Sequence, residues 1–175
     1  MTLARNSSRR LIVHGEAAIL FAIGPQKFAI AASAVDRIHD LEGLESIPPH
    51  VHPRLAKVRY TFERESRRYY VVDANLLFRI LPSRHSRMML LHPAKREQAG
   101  VALAVDGIDR MTSLPRIQSL PKAFHGDERS WYRGLAVVDG RVVPVVNPAS
   151  VLNSAELMVL DSAVNARLAL AGGRS

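Results

Sequence analysis

Five residues, Ala34-Val35-Asp36-Arg37-Ile38, return seventy positions later as Ala104-Val105-Asp106-Gly107-Ile108, identical at four of the five positions. One short echo carries little weight, but two more follow in order. Ile47-Pro48 is answered by Leu120-Pro121 at an offset of 73, and Val71-Val72-Asp73 by Val145-Val146-Asn147 at 74. Three ordered matches with a slowly drifting offset point to a duplicated unit of about 70 residues, so the fold has to set two similar halves against one another.

Each half is punctuated for short strands. The apolar run from Ala18 to Ile23 leads into Gly24-Pro25 and resumes from Lys27 to Ala31, which predicts a β-hairpin. Val35, Ile38 and Leu41 recur at three-residue spacing, so the segment from Ala34 to Leu41 fits either a strand or a helical turn. Pro48, Pro49 and Pro53 keep helix out of the stretch that follows. Tyr69-Tyr70-Val71-Val72 suits a buried strand, and Leu76-Leu77-Phe78 with Ile80-Leu81 reads as a short helix before Pro82. Met88 to His92 and Val101 to Val105 add two strands. Asp139-Gly140, between Trp131 to Val138 and Arg141 to Val146, matches the positive φ values of a type I′ turn and predicts a second hairpin. Beyond Pro148 the apolar period lengthens to Leu157, Leu160, Val164 and Leu168. Asn153 with Glu156 offers a capping-box start and Gly172-Gly173 a stop, so an amphipathic helix is expected to pack back on the body.

Composition narrows the chemistry. The 175 residues are 47% hydrophobic, which argues against disorder, and no apolar run approaches the ~18 residues a bilayer requires. With no cysteine there is no disulfide, no thiolate nucleophile and no Cys-ligated metal. The net charge of +8 gathers in Arg5, Arg9 and Arg10, in Arg54 to Arg68, and in Arg79 to Arg96, while Asp36, Asp40, Glu42 and Glu45 form an acidic patch. Such clusters read first as solvated faces and second as a phosphate track. No phosphate-loop, dinucleotide, zincin or nucleophile-elbow motif occurs. His50 and His52 lie on one face of an extended segment without a visible third ligand, so no metal or other cofactor is expected. Asp73 and Asp106 read as strand-end residues holding backbone donors, since nothing in the sequence places them together. Trp131 and Tyr132 beside Arg133 could stack bases, which makes an OB-like barrel for single-stranded nucleic acid the alternative reading. A Trp131 packed partly on the core is the plainer one.

The opening hairpin, the Ala-Val-x-x-Ile segment at Ala34 to Ile38 and the proline stretch at Ile47 to Pro53 come in that order. The Gly100 to Ile108 run, the Pro-flanked loop Ser113 to Pro121 and the closing hairpin Gly134 to Asn147 follow. In order and spacing this series resembles the CheW-like domain, the adaptor fold of bacterial chemosensory systems, over about residues 17 to 153. The resemblance implies a mainly β fold of two pseudo-symmetric small β-barrels around a shared core, plus a C-terminal helix; a lone sandwich is the alternative arrangement. The expected layout is a basic tail over 1–15, a CheW-like domain over 16–153 and an amphipathic helix over 154–171. The first barrel would take about 17–80 plus return strands and the second about 88–147. The implied function is that of a non-enzymatic cytoplasmic adaptor. Its implied partners are a CheA-type histidine kinase and/or a chemoreceptor cytoplasmic tip, with no membrane insertion. By the same resemblance the docking candidates are Val35, Arg37, Ile38 and His39 on the first barrel, with Val58, Arg59 and Tyr60 leading into the next loop. That loop departs from the family: Glu65-Ser66 stands where Arg-Gly is usual and Tyr70 where proline is usual, so the positive φ a glycine allows is expected to be lost.

Overall fold

The computed structural model describes residues 15–48, 52–93 and 98–172; the N-terminal tail, His50, Arg96 and Gly173 lie outside them. The chain forms β1 (Glu16–Ile23), β2 (Gln26–Ala31), β3 (Val35–Asp40), β4 (Glu45–Ser46), β5 (Val58–Arg64) and β6 (Arg67–Asp73), then the short helix α1 (Ala74–Phe78). It continues through β7 (Arg87–Leu91), β8 (Gly100–Val105), β9 (Gly107–Leu114), the four-residue α2 (Glu128–Trp131), β10 (Tyr132–Val138), β11 (Arg141–Val146) and α3 (Ser154–Gly172). The segment left open between strand and helical turn is a single 3-10 turn over Ala32–Ala34 followed by strand β3.

Two sheets result, one ordered β10-β11-β2-β1-β9 and the other β3-β7-β8-β6-β5-β4. Both draw strands from both halves of the chain. Each contains one parallel neighbour pair, β11 with β2 and β6 with β8, among antiparallel ones. The hairpins β5–β6 and β10–β11 share one register, every residue of the first having its counterpart 74 positions on. Val58 faces Val72 as Tyr132 faces Val146, Tyr60 faces Val71 as Gly134 faces Val145, and Arg64 faces Arg67 as Val138 faces Arg141. Each carries a bulge at the same place, which leaves Arg59 and Arg133 as the extra residues. The turns agree as well. Asp139 and Gly140 take φ of 50° and 73°, and Glu65 and Ser66 take 49° and 63°. The expected loss of positive φ is therefore corrected: a two-residue loop between right-twisting strands demands it, and two L-residues are held there without glycine.

Strand alternation divides the core in three. In β6, Tyr69 and Val71 point to one cluster and Tyr70 and Val72 to another; β7 does the same with Met88 and Leu90 against Met89 and Leu91. The first set fills the other face of the six-stranded sheet, and Ala18, Leu20, Ala29, Ala136, Val143 and Val145 form a separate cluster on the five-stranded one. The second set, with Phe21, Phe28, Leu103 and Val146, lies between the sheets. At the edges, Arg110 on β9 pairs with Asp139 beside β10, and His39 on β3 meets Arg64 and Phe62 on β5.

The capping box at the start of α3 forms as expected. The Asn153 N–H donates to Glu156 Oε2 and the Glu156 N–H donates to Asn153 Oδ1, both at 2.9 Å, a motif worth about 1 kcal/mol. Leu157 and Leu160 enter the shared core, the Tyr70 hydroxyl donates to Asp161 at 2.6 Å, and Lys57 pairs with Glu156 at 3.4 Å. Burial, and then the Asp161 carboxylate, push the Tyr70 hydroxyl pKa well up. Packing on the core reaches as far as Val164, beyond which Leu168 is 56% exposed and Leu170 77%.

Candidate docking surface

β3 is an edge strand, paired in its sheet through β7 alone. A bulge between Val35 and Arg37 leaves Asp36 as the extra residue against Leu91 and Leu90. Bulges twist an edge and re-aim its side chains, which blunts indiscriminate strand pairing while presenting particular residues. Arg37 is exposed and Ile38 is 39% exposed, whereas Val35 packs half-buried on the shared core. His39 is half-buried, with its ring 5.9 Å from that of Phe62 and its Nε2 against Arg64. Burial, then the charges of Arg64 and Arg37, lower its pKa, so the ring is neutral at neutral pH. Asp40 pairs with Arg87 at the strand's end.

The other three candidates divide. Arg59 is exposed on its bulge, and Tyr60 packs half-buried against the Tyr69, Val71, Met88 and Leu90 cluster. Val58 is 1% exposed within the shared core. That is a correction to its candidacy, for the bulge turns Val58 inward toward Val72 and offers Arg59 instead. The structure thus brings Arg37, Ile38 and His39 onto one edge, and His39 into contact with the β5–β6 hairpin, while Val35 and Val58 serve packing. Beside them, Arg68 reaches Glu63 at 3.4 Å and Arg67 donates to the Gln98 carbonyl at 2.6 Å, so the charge of this hairpin is largely engaged within the chain.

Asp73 and Asp106, which nothing in the sequence placed together, are joined by His85, a residue that carried no sequence signal. His85 lies between them, Nε2 3.0 Å from Asp73 Oδ1 and Nδ1 2.8 Å from Asp106 Oδ1. The cause is the parallel pairing of β6 with β8, which sets the C-terminal ends of both strands side by side. Both aspartates also hold backbone donors as expected: Asp73 caps α1 through the Asn75 and Leu76 N–H groups, and Asp106 accepts from the Gly24 N–H at 2.7 Å. Asn75 donates to Ser83, which donates to Asp106. Burial alone would raise both aspartates and lower His85. The mutual hydrogen bonds and charges outweigh it, leaving both carboxyls below and the imidazole above their usual values. With carboxylates at both ring nitrogens, His85 has no lone pair to offer as a general base, and Ser83 addresses a carboxylate and not the ring. The cluster is a clamp rather than a nucleophilic triad.

His52 accepts from the Arg54 N–H as a turn cap, and no group of three metal-ligating side chains occurs among the described residues. Trp131 is 9% exposed, and Tyr132 sits among Phe28, Phe78 and Phe124, its hydroxyl pushed up to about 12 by burial and by Glu128. Trp131 thus packs on the core, and Tyr132 is engaged with neighbouring aromatic rings. No helix is long and apolar enough to cross a membrane among the described residues.

Compared with known families, residues 17–156 match the CheW-like domain. The chain belongs to the CheW-like domain family. Among solved structures it is similar to the scaffolding protein TtCheW from Thermoanaerobacter tengcongensis, with a TM-score of 0.65 and 13% sequence identity, over 76% of this chain and 89% of that one. At that identity the likeness speaks for the fold. No curated protein matches the chain in sequence. The family match ends within the first turn of α3, so most of that helix lies beyond the matched segment.

Proposed function

We propose that this CheW-like chain is a non-enzymatic adaptor of a bacterial chemosensory array, docking on a CheA-type histidine kinase, a chemoreceptor tip or both through the β3 edge and the adjoining β5–β6 hairpin. The observation that carries the reading is the bulged edge strand, with Arg37 and Ile38 exposed on a chain of this family. An adaptor holds partners in fixed relative positions, so binding energy and geometry are its mechanism. A modest interface at or below the standard ~1,600 Å² with a few anchors suffices.

We also read the two sheets as the interiors of two duplicated β-barrels. The constant offset of 74 between the hairpins, their matching bulges and turns, and one parallel pair per sheet support duplication. The Arg110–Asp139 contact between opposite edges of the five-stranded sheet, and the His39–Phe62 contact from edge strand β3 to β5, the strand next to the other edge, support closure. The test is calorimetric titration with the CheW-like regulatory domain of a CheA kinase from the same organism. Saturable binding that survives raised salt is expected for the native chain. Arg37→Glu should weaken it by about tenfold, or ~1.4 kcal/mol, with little change in melting temperature. Unaltered affinity in that variant would remove β3 from the interface.

A further inference from the structure

Between α1, α2 and the start of α3 lies a groove of ≈ 580 Å³, lined among others by Arg54, Lys57, Leu76, Arg79, Trp131 and Glu156. Two of its cations are already answered, Lys57 by Glu156 at 3.4 Å and Arg54, loosely, by Asp127 at 3.6 Å. Arg79 is not. Its guanidinium carbon stands 5.4 Å from the centroid of the Trp131 ring, and no carboxylate among the described residues pairs with it. Its backbone holds φ of 54° at the end of α1, a left-handed position where glycine is the unstrained choice. An arginine at a left-handed position, its guanidinium in cation–π contact with Trp131 on the groove wall, is a cation with no paired carboxylate among the described residues. The contact with the ring restricts the fork before any anion arrives, so less entropy is lost on pairing.

We propose that this groove docks an acidic peptide segment of a partner protein, with Arg79 as the anchor for its carboxylate. The guanidinium fork takes the carboxylate through two parallel hydrogen bonds, and an aliphatic neighbour of the acidic residue covers Leu76, which is 45% exposed. None of the groove residues lies on β3, so this site and the β3 surface stand or fall separately.

Trp131 is the only tryptophan, so its emission reports on the groove directly. The full chain is titrated with N-acetyl-Leu-Glu-Asp-Leu amide and with the isosteric Leu-Gln-Asn-Leu peptide. A saturable change with the acidic peptide alone is expected. Arg79→Gly should weaken that binding about tenfold, the loss of one charge-assisted contact, while the melting temperature holds or rises because glycine relieves the left-handed strain. A merely structural arginine would give the opposite pair of results. Silence of Trp131, equal response to the amide peptide, or native affinity in Arg79→Gly would overturn the proposal. Displacement of the peptide by equimolar inorganic phosphate would also overturn it, by moving the ligand class to phosphate.

Discussion

His85 has carboxylate oxygens at both ring nitrogens, and a carboxylate can only accept, so both nitrogens carry protons and the ring is an imidazolium. Its folded pKa is raised, so its contribution to stability is fully present below the unfolded value near 6.5 and is lost as pH rises through the folded one. Asp73 and Asp106 have depressed values, so theirs is present above the unfolded carboxyl range and lost as pH falls through the folded values. The clamp is therefore strongest from about pH 4 to 6.5. His85→Gln should cost about 1–3 kcal/mol near pH 6 and progressively less toward alkaline pH, read from urea unfolding across that range. A cost independent of pH would mean that His85 acts by shape alone. At the β5–β6 turn, Glu65 and Ser66 hold positive φ without glycine, which costs about 1–2 kcal/mol per residue. Ser66→Gly should recover about 1 kcal/mol and raise the melting temperature. At this scale the sequence was half legible. Asp106 stood out through its echo of Asp36, and Asp73 through its strand-end position, but His85 belongs to no periodic run. Its role depends on a parallel strand pairing that spacing does not reveal.

Elements read more easily than contacts. The β1–β2 and β10–β11 hairpins, α1 and the capped start of α3 all carry local signals: Gly24-Pro25, Asp139-Gly140, the Asp73 cap and the Asn153–Glu156 pair. β9 was hidden, since Gly107 to Leu114 alternates poorly and is a strand because it pairs with β1 along its length. The bulges at Val35/Arg37 and Val58/Tyr60 were equally silent, and that is why Val58 looked like a neighbour of Arg59 in function when it is one only in sequence. For α3 the apolar period was right but its use was not uniform. Leu160→Ala should cost about 2–5 kcal/mol in urea unfolding because Leu160 is 2% exposed in the shared core. Ending the chain after residue 166 should change stability by less than about 0.5 kcal/mol, since Leu168 and Leu170 cover nothing.

Over the whole molecule, the repeated sequence pattern made the β-rich architecture foreseeable, while the interleaving of strands from both halves was not. Each sheet takes strands from both halves of the chain, and the Phe21, Phe28, Tyr70 and Leu103 core lies between the two sheets. The same arrangement leaves β3 as an outer edge whose bulge presents Arg37 and Ile38. That edge as the partner-docking surface is the central claim, and amide hydrogen exchange of the chain with and without the kinase regulatory domain tests it most directly. The account predicts slowed exchange over Val35–Asp40 and Val58–Arg64, with the rest of the sheets unchanged. Binding that protects other strands and leaves β3 exchanging at its free rate would contradict it.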